Sequence, residues 1–420
     1  MNFSIAMTRF SVLFSCLTIT FLGIPVARAQ DPEQIKGTPA EPVGADDSRV
    51  QIAAMEKLKD TLVDRGAVLY SLATERERLH ETREALAELK ECIGLQEGFN
   101  PESDAAFRAM ATDKEFKDLV ERARRDFPAV TQAHVAFETD EKDLVPEGLA
   151  YDTKNDVYYL SSLNRHKIVK ISHEGRVSDF VPSDRYKLLP VLGIRMDPTD
   201  GSVWANSSED ERGRSELLHF DGEGKLLGRY AVKDQVRHEF NDLVLRKNGE
   251  VILTDSLSNH VYRFDRGAQK FSVLPTYREL AYPNGIALAD DDNQIFIADN
   301  YGIVHVNLQS GASAEVNPGP RNTVSGADGL YWHKGSLIAV QNGIGAPRIA
   351  AFRLSKDGLQ VTQTSVLENR SAFTVLPTTG ALHGNDFYFI VNSQLDNLNN
   401  GHVMDITKLE RVRIGVLRLP

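Results

Sequence analysis

One short phrase of residues is written six times along the chain. A ring-position residue opens an apolar stretch, a tight polar turn follows, and a second apolar stretch returns. The copies open at Glu147, Leu192, Asn241, Asn284, Asp328 and Thr379, 43 to 51 residues apart. Three carry the same grammar almost letter for letter: Pro146-Glu147-Gly148, Pro283-Asn284-Gly285 and Ala327-Asp328-Gly329. The Asn241 copy reads Phe240-Asn241-Asp242, turns at Asn248-Gly249-Glu250 and ends its return at Asp255-Ser256. Copies two and six are weaker, Leu192-Gly193-Ile194 and Thr379-Gly380-Ala381.

A period of roughly 40–50 residues that holds several short strands is the signature of propeller blades. Six copies predict six blades, within the usual range of about 4–8. A β-sandwich is the competing fold, but it gives no reason for Glu, Asn or Asp to recur at one repeat phase. A propeller does, because the innermost strand of every blade opens on one central channel. Third and fourth strands follow in five copies. The sixth ends at a third strand near 416–419, and residues 133–138 have no other blade to join. They are predicted to pair with the C-terminal strand and close the ring, which removes an open sheet edge.

The expected architecture is therefore mainly β, a six-bladed β-propeller over 131–420 preceded by an α-helical region over 49–127. In that region apolar residues at Ile52, Met55, Leu58, Leu62, Leu69, Leu72, Leu79, Leu86, Leu89 and Ile93 fall mostly three, four or seven apart, as amphipathic helix requires. A helical hairpin and a coiled coil both fit. Ser103 is the expected cap of a further helix, and Phe107 with Asp113, Phe116 and Leu119 weakly resembles the tail of a tetratricopeptide array. The region is expected to be separable from the propeller, as a spacer or as a surface for a protein partner or self-association. Ahead of it, Pro and Gly among polar residues make 30–48 a flexible linker.

Residues 1–29 read as a signal peptide: Arg9, an apolar run over 10–26, then Ala27-Arg28-Ala29. A retained anchor is the alternative. Leu13-Phe14-Ser15-Cys16 resembles a lipoprotein box, but Phe14 is bulky and the apolar run continues past Cys16. Cleavage predicts a secreted or periplasmic protein with no stable membrane span. It would leave Cys92 alone, so the fold does not depend on disulfides. Loss of Arg9 and Arg28 would move the formal charge from −11 to −13. That acidity, without a basic cluster, argues against nucleic acid as a partner.

Four ring positions carry oxygen donors, Glu147, Asn241, Asn284 and Asp328. Two carboxylates and two carboxamides converging on one axis suit a hard dication, calcium first, with magnesium or manganese behind it. An isolated Asn-Gly would be only a turn signal; four donors in phase are harder to dismiss. Asp242, Asp255, Asp299, Asn342 and Asn392 lie near the same mouth. Asn241, Asp255 and Asp299 are candidate substrate-binding residues, although Asp255 and Asp299 end their strands and could instead hold turns. His383 reads as a packing residue rather than a catalytic one. No phosphate-binding loop and no Gly-x-Ser-x-Gly elbow is present.

From about residue 140 onward, the motifs at Glu147, Asn241, Asn284 and Asp328 resemble the senescence-marker/gluconolactonase/luciferin-regenerating family. The resemblance implies that these four residues bind a catalytic calcium and that Asp328 is also the base or nucleophile. It implies a metal-dependent hydrolase of a small-molecule lactone or related ester. One position departs: Glu239 stands where the gluconolactonases have an arginine that contacts the sugar, which weakens the case for sugar lactones. The alternative is a non-catalytic secreted propeller that binds a small molecule or a protein, with a structural metal.

Overall fold

Each repeat folds as one four-stranded antiparallel sheet, and the six sheets form a six-bladed propeller. The structure is a computed structural model that describes residues 45–59, 65–172, 174–209, 212–320, 322–399 and 401–420. The expected signal peptide at 1–29 and residues 30–44 of the expected linker lie outside the described residues.

Blade 1 opens with Leu149–Asp152 and blade 3 with Phe240–Leu245; blade 5 runs through Ala327–His333, Ser336–Gln341, Arg348–Leu354 and Val361–Asn369. Blade 6 combines Gly380–His383, Asp386–Ile390 and Val412–Arg418 with an outer strand from far upstream, His134–Thr139. That strand pairs antiparallel with Val412–Arg418, in the register His134 opposite Val416 and Thr139 opposite Val412. The two ends of the domain are thereby joined in one sheet, and the third strand of blade 6 starts earlier than the sequence pattern places it.

A hydrophobic cluster fills each of the six blade interfaces, the one between blades 6 and 1 included. Side chains on a strand alternate between its faces. Ile252 accordingly packs toward blade 4, while its neighbours Val251 and Leu253 pack toward blade 2. Both faces of a blade are buried, which is why these strands read as continuous apolar runs. The hairpins away from the channel mouth turn on Asn and Asp side chains, as where Asn248 Oδ1 accepts from Glu250 N at 3.0 Å. Gly249, at φ +88°, takes the left-handed step there.

Among the described residues the helical region has four α-helices: α1 (Ala45–Leu58), α2 (Arg65–Arg78), α3 (Thr82–Gly94) and α4 (Lys114–Asp126). Helix α1 begins inside the expected linker. Asp46 and Asp47 lie in its first turn, where the helix dipole favours acids, and Ser48 is buried, donating to Glu75 at 2.7 Å. Helices α2 and α3 form a hairpin through His80, at φ +60°. Asp104, not Ser103, caps the next segment, which is a 3₁₀ helix, and Asp113 caps α4. One apolar cluster joins α2, α3, α4 and the 3₁₀ helix around Leu69, Leu89, Phe107 and Phe116. Cys92 is buried within it, its Sγ donating to Gly66 O at 3.4 Å.

This helical unit is docked on blade 5. Phe127 packs with Ile344 and Ala346, the Ala346 amide donates to Glu97 O at 3.3 Å, and Asn369 Nδ2 donates to Pro128 O at 2.7 Å. A side chain at Gly345 would meet the Phe99 ring at 2.6 Å. Among the described residues, no helix is long and apolar enough to cross a membrane.

Candidate functional site

The residue after a ring position is usually glycine, and the structure supplies the reason. A Cβ on Gly148 would lie 2.2 Å from Leu192 O, one on Gly193 2.5 Å from Asn241 O, and one on Gly285 2.4 Å from Asp328 O. In these three blades the inner strand presses its backbone against the ring position of the next blade, an approach that leaves no room for a side chain. The Asn-Gly and Asp-Gly pairs are therefore close-approach motifs that draw the inner strands together, not turn signals.

Blade 3 carries Asp242 at that place. Its fully buried carboxylate takes the Leu243 amide at 2.8 Å and a weak contact from the Ile286 amide at 3.5 Å. Arg195 of blade 2 completes the set, with Nη2 at 2.8 Å. The same guanidinium lies over the ring of Tyr331 in blade 5, 5.3 Å from its centroid. Tyr331 Oη in turn accepts from the Gly380 amide at 2.6 Å. Arg195 and Tyr331 stand three residues along from the ring positions Leu192 and Asp328, and they meet across the axis. Burial pushes Asp242 up and Arg195 holds it down. Arginine does not give up its proton, so the ionised pair is the state we assign.

The four oxygen donors at the ring positions are all buried. Asn241 Nδ2 donates to Ser256 Oγ at 3.2 Å, which leaves Oδ1 on the opposite side of the amide. Asp328 Oδ2 accepts from Asn342 Nδ2 at 2.6 Å, and the same amide nitrogen reaches Pro377 O at 2.8 Å. Glu147 Oε2, Asn284 Oδ1 and Asp328 Oδ1 have no hydrogen-bond partner among the described residues. Burial raises the Glu147 carboxyl well above its ordinary range, and the charges of Asp328, Glu239 and Asp242 push the same way. Burial also raises Asp328, against hydrogen bonds from Asn342 and Asn284.

An unsatisfied buried acceptor costs about 1–3 kcal/mol, and three at one place call for a shared partner. Two carboxylates and two carboxamides, with neither thiolate nor imidazole, fit a hard divalent cation. No group of three or more His, Cys, Asp or Glu side chains suited to a metal occurs among the described residues; this set relies on amides for half its donors.

The remaining sequence candidates sit otherwise. Asp255 is fully buried, and its oxygens take the Glu239 amide at 2.9 Å, the Ser258 amide at 3.2 Å and His238 Nδ1 at 2.5 Å. Asp299 takes the amides of Ala281, Tyr301 and Gly302 and is paired with Arg278 at 2.5 and 3.1 Å. Both carboxylates are engaged in holding the loops at the ends of their strands. Asn392 likewise holds the Arg411 carbonyl and the Arg413 amide. His383 stacks on Tyr151, with ring centroids 4.3 Å apart. Glu239 is buried and accepts from Tyr282 Oη at 2.7 Å.

Sequence reasoning missed Arg195 and Tyr331. Their signal was their phase, three residues beyond a ring position. Nothing local marks a strand arginine as the counter-ion of an aspartate 47 residues away.

No protein-family model matches the sequence, and no curated protein matches it. Solved structures that resemble it include virginiamycin B lyase from Staphylococcus aureus, at 16% identity and TM-score 0.46, covering 69% of this chain and 99% of that one. A gluconolactonase from Xanthomonas campestris aligns at 15% identity and TM-score 0.45, covering 70% and 88%. A luciferin-regenerating enzyme aligns at 14% and 0.45, covering 67% and 94%. Their names span different chemistries, and a fold hosts many functions.

Proposed function

We propose that the propeller is a hydrolase of a small-molecule lactone or related ester, dependent on a divalent cation, calcium first. The observation that carries this is the set of orphaned buried oxygens on Glu147, Asn284 and Asp328, with Asn241 beside them. These four residues would hold the ion. Bound there, it would supply Lewis-acid polarisation of a carbonyl oxygen.

The other parts of the reaction fall to the chain. Arg195, Asp242 and Tyr331 close the channel below the ring, so substrate enters from the opposite mouth. Asn342 fixes the Asp328 carboxylate through Oδ2, leaving Oδ1 to take a proton from water. Water attacks the carbonyl carbon, the ring C–O bond breaks, and the proton passes to the alkoxide, giving a hydroxy acid. Burial makes Asp328 a stronger base than an exposed carboxylate. Direct attack by Asp328 is the other route open to this geometry. Asn241 is the ring residue assigned to substrate as well. The apolar run over 10–26 and the Ala27-Arg28-Ala29 motif support export to the periplasm or beyond.

A panel of lactones assayed with and without chelator tests the reading. Hydrolysis that disappears in chelator and returns with calcium is expected. A protein that binds calcium but hydrolyses none of the panel would favour the non-catalytic propeller.

A further inference from the structure

The second strands of blades 3, 4 and 5 end in different residues: Asp255, Asp299 and Gln341. In blades 3 and 4 this residue is a carboxylate that gathers the amides of its own blade's loops, as described above. Gln341 carries no charge and leans on a neighbour. Its Oε1 accepts from Arg348 Nε at 2.7 Å, while its Nε2 donates to Ser325 O at 2.7 Å. Arg348 Nη2 also reaches Thr323 O at 2.9 Å. The segment from Thr323 leads directly into Asp328, and Gln341 leads directly into Asn342, the residue that holds Asp328 Oδ2. A further bond from the Gly343 amide to Gly326 O, 3.1 Å, ties the two segments together.

Arg348 is thus the hub of the blade 5 mouth, and it is buried, 4% exposed. Among the described residues no carboxylate pairs with it, and burial pushes its guanidinium down to about 10. A buried cation needs compensation. Beside the hydrogen bonds to Gln341 and Thr323, part of its compensation comes from outside the propeller: the ring of Phe127, the residue that ends α4, lies 4.8 Å from the guanidinium carbon. Phe127 is itself buried against Ile344 and Ala346 of the loop that follows Asn342. Through that contact the helical unit reaches the oxygen ring in three steps, Phe127 to Arg348, Arg348 to Gln341 and Thr323, and these to Asn342 and Asp328.

We propose that the helical unit is part of the site: Phe127 and Arg348 are positioning residues that hold Asp328 and Asn342 in place. This rests on the reading of the ring as a cation site. Blades 3 and 4 need no such outside support, because Asp255 and Asp299 do the same work locally. The helical region is then neither a passive spacer nor primarily a surface for another protein.

The test uses the full chain with two substitutions. Phe127→Leu keeps an apolar side chain in the contact and removes the ring face; Phe127→Tyr keeps the face. Hydrogen exchange in metal-free protein should quicken for segments 323–328 and 341–348 in Phe127→Leu, with 251–256 of blade 3 unchanged. Calcium binding by calorimetry should weaken about tenfold, the low end for loss of support behind a metal ligand. Phe127→Tyr should match the wild type in both measurements. Faster exchange in blade 5 with unchanged calcium affinity would make the contact structural only and overturn the proposal. So would unchanged exchange, or a Phe127→Tyr protein as impaired as Phe127→Leu. A wild type that binds no calcium would instead overturn the reading of the ring, and this inference with it.

Discussion

Replacing Arg195 with methionine should be among the most damaging single changes in the channel. The guanidinium bonds Asp242 at 2.8 Å, and the carboxylate is fully buried. Methionine keeps much of the length and removes the charge, leaving that carboxylate unpaired. Breaking a buried ion pair on one side costs about 3–5 kcal/mol. Asp242 would retain the Leu243 amide at 2.8 Å and the long contact to Ile286, so the lower end applies, about 3 kcal/mol. Loss of the cation over Tyr331 adds about 1 kcal/mol. A total of about 4 kcal/mol corresponds to a melting drop on the order of 8 °C in a domain of this size. Thermal and urea unfolding in chelator measure it without help from a bound ion. The double variant Arg195→Met/Asp242→Asn removes the stranded charge and should recover about half of the loss. A single variant that costs under about 1 kcal/mol, or a double variant as unstable as the single, would show that the pair's charges are not what holds the channel plug.

Excess chelator should lower the melting temperature of the wild type, and calcium at about a hundredfold its dissociation constant should restore on the order of 3 kcal/mol; unchanged melting and no metal in the purified protein would count against the ring as a cation site. Asp328→Asn should lower lactone turnover at least about a hundredfold with the fold intact, whereas Asp255→Asn should cost stability and leave turnover of the folded protein much closer to wild type; the reverse result would move the catalytic carboxylate. Deleting 130–139 removes the outer strand of blade 6 and bares the edge of Val412–Arg418, so the chain should aggregate on size-exclusion chromatography; a monomer with unchanged melting rejects the closure argument. A hydrogen bond to Asp255 raises His238 above the ordinary imidazole value against burial, and Asp234 adds to it. The stability this supplies is complete below the unfolded value of about 6.5 and lost as pH rises through the folded value. Wild type should therefore lose its advantage over His238→Gln progressively as pH rises above about 6.5, and a constant difference between the two melting curves would refute it.

The helical region shows where sequence pattern reached its limit. Its helices were legible from the spacing of Leu69, Leu72, Leu86, Leu89 and Ile93. Its docking on the propeller was not: the contacts join Phe99 to Gly345 and Phe127 to Arg348, pairs more than 200 residues apart. A glycine in a loop gives no hint that a distant ring will rest on it. Asp255 and Asp299 teach the same lesson from the other side. A carboxylate at a strand end near a mouth reads equally well as a ligand or as a loop clamp, and only its partners decide.

What the sequence determined by itself was the repeat and hence the ring. Period, strand alternation and the phase of Glu147, Asn241, Asn284 and Asp328 are local properties, repeated often enough to define six blades and to put four oxygen-bearing side chains at one repeat phase. It also determined closure, because one orphan strand matched one missing edge. The tertiary structure decided the rest: why glycine follows the ring position, which carboxylates are engaged, and that Arg195 reaches both Asp242 and Tyr331. Most of those are contacts between blades or with loops, and a strand's sequence records how its own residues alternate but not which atoms of a loop or of the next blade press against them. The charge balance of the channel was settled there, where burial made each unpaired oxygen costly and geometry chose its partner.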